Sequence, residues 1–299
     1  MKKRLLTGLI AAALLLQPYA AGAESAPLVY RVTDGAGHRL YLLGTIHVGS
    51  GDMYPLGAAV EEAYENADVV AVELDVYAYG GNLLSTMKTA FALMYGLQDS
   101  AKNHLSPETY ALGVEKLGVP ELALRQMKPA MWYSLAENFI IIQAGLDAAK
   151  GVDYWLLKQA HREGKQIDEL ETLEAQMATL LAIPEDVIDY EVQAMLTYPE
   201  ESAAGLLTLF EAWRQGDEKA LRTLLEASAE GEEDLSEAYQ EYSDALIDSR
   251  NDGFEEQALA YLNSGKTALI AIGAFHIVGE NGLAAKLARA GYTVEEIGR

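Results

Sequence analysis

The chain has 299 residues, with 45 Asp and Glu against 22 Lys and Arg, a formal net charge of −23, and no cysteine. So acidic a chain argues against nucleic acid or an anionic membrane surface as partner. The lack of thiols excludes disulfides, thiolate metal sites and cysteine nucleophiles.

Residues 1–23 read as an export signal. Lys2, Lys3 and Arg4 precede an apolar run over residues 5–16, and Ala21-Gly22-Ala23 forms a small-residue cleavage site. The run is too short to span a bilayer, which needs about 20 apolar residues. Cleavage after Ala23 would release a periplasmic or extracellular protein with no membrane span, and without cysteine it cannot be a lipoprotein. Residues 24–299 are then expected to form a single domain, of open oligomeric state.

Along that domain, residues 28–33 and 39–43 are predicted as two strands joined by the turn signal Asp34-Gly35-Ala36-Gly37. Residues 55–66 follow as a helix opened by Pro55. The apolar run over residues 68–74 predicts a buried strand with Glu73 near its end. From about 81 to 264 the pattern is helical, with breaks such as Ser106-Pro107, Lys128-Pro129 and Ile183-Pro184 and one short strand at residues 166–170. Acidic runs such as residues 230–234 read as solvated helix faces. The end returns to strand (267–272), helix (282–290) and strand (292–297). The predicted fold is α/β: a mixed sheet formed by segments from both ends of the chain, bracketing a large helical insert.

Two segments 229 positions apart share a pattern. Gly44-Thr45-Ile46-His47 and Gly273-Ala274-Phe275-His276 each end an apolar strand-like run with a Gly, then place His three residues later. Only five histidines occur in the chain. A strand ending in Gly-x-x-His delivers an imidazole to the open edge of a sheet, and two brought together make a paired-histidine site. Imidazole is the commonest metal ligand, so His47 and His276 are candidate ligands. Glu73 is the natural third, because a carboxylate in so apolar a run is costly to bury unless paired or bound to a cation. Two His and one carboxylate suit Zn, Mn, Fe or Co and leave positions for water.

Glu171 and Glu174, after the mid-chain strand, read on composition as a helix start, where acidic residues are favoured; Arg250, in a helical stretch, could stabilise negative charge developing on a substrate. Asp75 reads as solvated or as a helix cap. His38, His104 and His161 read as structural or exposed. The chain has no Gly-x-Ser-x-Gly elbow and no His-Glu-x-x-His helix, and Gly265-Lys266-Thr267 lacks the upstream glycine of a phosphate loop and reads as a turn.

As an ordered set, Gly44-Thr45-Ile46-His47-Val48-Gly49, Val72-Glu73-Leu74-Asp75, Gly151-Val152-Asp153, Leu170-Glu171-Thr172-Leu173-Glu174-Ala175-Gln176, Arg250-Asn251 and Gly273-Ala274-Phe275-His276 resemble the TraB/GumN family, related to the Tiki proteins. The resemblance implies kinship with erythromycin-esterase-like and haem-uptake ChaN-like proteins. Tiki members are divalent-metal-dependent proteases that trim an amino-terminal segment from a secreted signal protein, and some bacterial members are linked to shutting off peptide pheromones. It implies a metal or catalytic role for His47 and His276, an acidic partner in Glu73, and further site residues in Glu171, Arg250, Asp153 and Asn251.

The expected function is therefore an exported metal-dependent hydrolase, a peptidase acting on a peptide or protein. His47, His276 and Glu73 would hold a Mn, Co or Zn ion that activates water. Glu73 or Glu171 would be the general base, and Arg250 would steady the oxyanion. The alternative is a non-catalytic binding protein of the same fold, for a peptide or small ligand such as haem.

Overall fold

A computed structural model describes residues 25–229 and 236–298. The export signal and the acidic run at 230–234 lie outside the described residues. Six strands form one mixed sheet: β1 (Val29–Thr33), β2 (Arg39–Thr45), β3 (Val69–Val72), β4 (Gln166–Glu169), β5 (Ala268–Gly273) and β6 (Thr293–Glu296), in the spatial order β4-β3-β5-β2-β1-β6. β4, β3, β5 and β2 run parallel, whereas β1 is antiparallel to both β2 and β6.

The sequence of each strand matches its place. β3 and β5 sit inside the sheet, and their Val, Ala, Leu and Ile side chains are buried on both faces. That is why they read as unbroken apolar runs. The edge strands β4 (Gln-Ile-Asp-Glu) and β6 (Thr-Val-Glu-Glu) carry charge, which discourages pairing with a further strand. At the β1–β2 hairpin the Asp34 carboxylate accepts the N–H groups of Ala36 and His38, each at 2.8 Å, and Gly37 takes φ +89°.

The stretch between β3 and β5 is helical apart from β4, as expected. Its helices Pro107–Lys116, Pro129–Gln143, Glu185–Thr197 and Pro199–Arg214 pack on one another. Ser106 caps the first, its hydroxyl accepting the Thr109 N–H, with Pro107 in the opening turn. Trp132 is fully buried beside Gly113, where a β-carbon would lie 2.1 Å from the indole ring. Its Nε1 donates to the Leu124 carbonyl at 3.1 Å.

Two local expectations are corrected. The helix predicted from residue 55 starts at Ala58, because Leu56 is drawn into a bridge with Ser25 and holds the chain extended. β2 does not break at Gly44 but runs on to Thr45. Gly44 is needed instead for close packing: a β-carbon there would meet Ala274 at 3.3 Å. Among the described residues, no helix is long and apolar enough to cross a membrane.

Candidate active site

The four parallel strands point their C-terminal ends the same way, and each ends in a candidate residue. β2 leads to His47, β3 to Glu73, β4 to Glu171 and β5 to His276. Ligand sites in open α/β sheets gather at this edge. Thr45 of β2 lies opposite Gly273 of β5, so the two Gly-x-x-His units sit side by side. Gly273 marks their meeting point. A methyl placed on it would lie 3.5 Å from Glu73 Oε1, 3.6 Å from His276 Cδ2 and 3.9 Å from His47 Nε2.

His47 is anchored from behind. The helix Val152–Glu163 begins against the His47 backbone: the Val152 N–H donates to the Ile46 carbonyl at 2.9 Å, and a β-carbon on Gly151 would sit 2.5 Å from the His47 carbonyl. That approach puts Asp153, in the first helical turn, under the ring. His47 Nδ1–H donates to Asp153 Oδ2 at 2.8 Å, and the Thr45 hydroxyl donates to Oδ1 at 2.6 Å. The side chain is 67% exposed, because its Nε2 edge opens into the cavity described below. The Asp153 carboxylate raises the His47 imidazole, against the lowering effect of desolvation, from its ordinary 6.5 to about 10.

His276 is the opposite case. It is buried on a short 3-10 turn, Ala274–His276, with the Phe254 ring edge-on at 5.2 Å. Asn251 donates through Nδ2 to the Asn281 carbonyl at 2.9 Å, which fixes its Oδ1 towards His276 Nδ1 at 2.8 Å. Nδ1 therefore carries the proton, and Nε2 is an acceptor for Arg250 Nη1 at 3.1 Å. Burial, reinforced by the Arg250 charge and opposed by Glu73, lowers His276 to about 4.

Arg250 ties the remaining groups together. Nε and Nη2 grip Glu171 in a fork at 2.7 Å each, Nη2 also reaches Glu73 Oε2 at 2.6 Å, and Nη1 donates to the Leu246 carbonyl at 3.1 Å as well as to His276. A π-helical turn, Asp244–Asp248, precedes the Arg250 helix and supplies that carbonyl. All five guanidinium N–H donors are thus engaged. Glu73 Oε1 accepts the Gly273 N–H at 2.8 Å and keeps a lone pair towards the cavity. Desolvation alone would raise the Glu73 carboxyl, but the charges of His47, of His276 when protonated, and of Arg250, with the Gly273 N–H, outweigh it and hold it at about 2.

This donor set bears on a metal. His276 Nε2 and Glu73 Oε2 face Arg250 and both Glu171 oxygens are in its fork, which leaves His47 Nε2 and Glu73 Oε1 open. Among the described residues no group of three or more His, Asp or Glu side chains is arranged to hold an ion. As placed, the residues do not fit a three-donor metal site: a guanidinium stands in the cation's position. The same saturation leaves Arg250 without a donor for an oxyanion.

Sequence reasoning named His47, Glu73, Glu171, Arg250 and His276, and all five come together. Asp153 and Asn251, reached only through the family resemblance, are the two residues that orient the histidine rings. Glu174 lies in the first turn of the helix Leu173–Leu181, at the acidic helix start that the sequence predicts. Asp75 does cap the helix Val76–Gly80, but it is buried and bonded to His161 Nε2 at 2.6 Å rather than solvated.

His47, Glu73, Arg250 and His276 line a cavity of about 370 Å³. Its walls are mostly apolar, with Trp213, Leu221, Leu225, Ile247 and Phe275 among them. Glu137 and Glu191, which the sequence reading missed, line it as well. A lone Glu in the apolar stretch of residues 131–142 was the available signal for Glu137.

The chain matches the TraB/PrgY/gumN family over residues 28–296. It is 26% identical over 252 residues to the uncharacterized protein YbaP of Escherichia coli (strain K12), covering 84% of this chain and 89% of that protein. It is also 26% identical over 243 residues to uncharacterized protein YbaP of Shigella flexneri, covering 81% and 85%. No solved structure matches it significantly. With nearly its whole described length matched and its paired Gly-x-x-His strands side by side, the chain belongs to the TraB/PrgY/gumN family.

Proposed function

We propose that this protein is a hydrolase of carbonyl substrates, with peptides as the first class to test, working outside the cytoplasm. The observation that carries the reading is the convergence of His47 Nε2 and Glu73 Oε1 on one small space over Gly273, in a largely apolar cavity. At neutral pH the cited shifts leave Glu73 ionised and His47 protonated. A water over Gly273 would be deprotonated by Glu73 Oε1 as it attacks the carbonyl carbon. The His47 imidazolium would donate to the carbonyl oxygen as negative charge develops there, then protonate the leaving group. Asp153 keeps that imidazolium charged and aimed. Arg250 and Glu171 act as positioning residues that fix Glu73, and His276 with Asn251 completes the wall that holds Arg250 in place.

The direct test is incubation of the purified protein with a peptide library, with and without chelator, beside Glu73→Gln and His47→Ala. Cleavage that survives chelation and is lost in both variants supports the reading. Cleavage abolished by chelator and restored by Mn, Co or Zn would replace it with a metal-dependent mechanism. Intact peptide recovered after long incubation would favour a non-catalytic binding protein.

A further inference from the structure

Two carboxyls outside the cluster line the same cavity: Glu137, from the helix Pro129–Gln143, and Glu191, from the helix Glu185–Thr197. The residues around them are tyrosines. The Tyr239 hydroxyl donates to Glu191 Oε1, and the Tyr133 hydroxyl, one helical turn before Glu137, lies within hydrogen-bonding reach of Glu137 and Tyr242. Among the described residues neither carboxyl has an ion-pair partner, and the only cationic side chain lining the cavity apart from the histidines is Arg250, whose donors are all spent. Glu191 is only 4% exposed. Burial raises both carboxyls from 4.5 to about 7, against the lowering effect of the Tyr133 and Tyr239 hydroxyls and, for Glu137, of the His47 charge.

Burying carboxyl groups without a cation is costly, and a fold under no other demand would place apolar side chains there. These two do not stand alone on a surface: they line the cavity that also holds the candidate reactive cluster, among mostly apolar side chains. A ligand that carries an ammonium would supply the salt-bridge partner that neither has, since Arg250 is spent on Glu73 and Glu171. A carbonyl oxygen of the same ligand is drawn to the His47 imidazolium.

We propose that Glu137 and Glu191 determine specificity in this cavity by binding the ammonium group of an amine-bearing substrate. The carbonyl next to the reactive cluster would then be set by the reach from that ammonium. This deepens the hydrolase reading and rests on it for the position of the scissile bond, whereas the amine recognition itself is independent of turnover. An ammonium can come from a peptide amino terminus or from a lysine side chain, and the experiment separates the two.

Equilibrium binding to the wild-type protein is measured for leucinamide against N-acetyl-leucinamide, and for Nα-acetyl-lysinamide against Nα-acetyl-norleucinamide. At least one amine is expected to bind about 30-fold tighter than its neutral counterpart, the size of a desolvated charge pair. The pair that shows the preference names the source of the ammonium. In Glu137→Gln/Glu191→Gln, and in each single variant if the double variant does not fold, that preference should collapse towards one. Equal binding within both pairs, or no binding of either amine, overturns the proposal. So does a preference that persists in folded variants. If discrimination is found but no peptide is cleaved, the hydrolase reading fails and the amine site stands.

Discussion

His47 Nδ1 and Asp153 Oδ2 lie 2.8 Å apart although 106 residues separate them in the chain. That bond turns Nε2 towards the cavity, and the carboxylate behind it raises the imidazole pKa. One ring of the pair is thereby open to the cavity and favoured as the imidazolium. The other, His276, is neutral, buried and committed to Asn251 and Arg250. Two matched motifs have become two different groups.

The first prediction concerns pH. The active form proposed for His47 is the imidazolium, which exists below its pKa, and Asp153 raises that pKa from 6.5 to about 10. The alkaline limb of kcat/KM should therefore fall well above pH 6.5 in the wild type. Asp153→Asn removes the raising charge, so the limb should move down towards 6.5 and activity at pH 8 should be lost before activity at pH 5.5. A limb that does not move on this substitution would show that Asp153 does not set the His47 charge.

Gly273→Ala tests the reacting space. Its φ of −48° and ψ of 137° suit alanine, and the added methyl makes ordinary contacts of 3.5–3.9 Å with Glu73, His276 and His47. Stability should change by about 1 kcal/mol or less. The methyl would occupy the place of the attacking water, and kcat should drop by roughly a hundredfold. Thermal unfolding and steady-state kinetics on the same preparation check both halves.

Arg250 should matter more to stability than any other site residue. Its side chain is 13% exposed, against 10% for Glu73 and 12% for Glu171. Arg250→Ala leaves two buried carboxylates without their cation and should cost about 3–5 kcal/mol. Arg250→Lys keeps the charge but lacks the planar fork, so it should recover only part of the loss. Urea denaturation of the three proteins gives the ranking.

Glu191 predicts a stability change of opposite sign. Its carboxyl is raised to about 7 in the folded protein, so its neutral form favours folding below pH 4.5, and that contribution disappears as pH rises through 7. Glu191→Gln should then be more stable than the wild type at pH 8, by on the order of 2–3 kcal/mol, and nearly equal to it at pH 4. Denaturation midpoints at the two pH values check the sign.

Much of this was legible in the sequence because the relevant signals were local. The parallel strands declared themselves as apolar runs, and Glu73 stood out as a charge at the end of one. The paired Gly-x-x-His units gave the two histidines. What stayed hidden was set by long-range geometry. Asp153 and Asn251 are unremarkable first-turn helix residues until a helix start packs against His47 or a turn comes to rest on Asn281. The saturation of Arg250 depends on partners from β3, β4, β5 and a π-helical turn, four segments whose meeting no spacing rule encodes. Two His and a Glu suggest a cation in the sequence, and no spacing rule shows that Arg250 bonds His276 Nε2 and Glu73 Oε2. Glu191 lay in a helix whose exposed and cavity-lining faces look alike in one dimension.

The central claim is that His47 and Glu73 act as one unit across Gly273. A double-mutant cycle on peptide hydrolysis, measuring kcat/KM for the wild type, His47→Gln, Glu73→Gln and the double variant in the presence of chelator, tests it most directly. The prediction is that each single substitution removes nearly all the activity and the double variant is no worse than the poorer single one. Additive losses, or wild-type activity that vanishes on chelation, would contradict it.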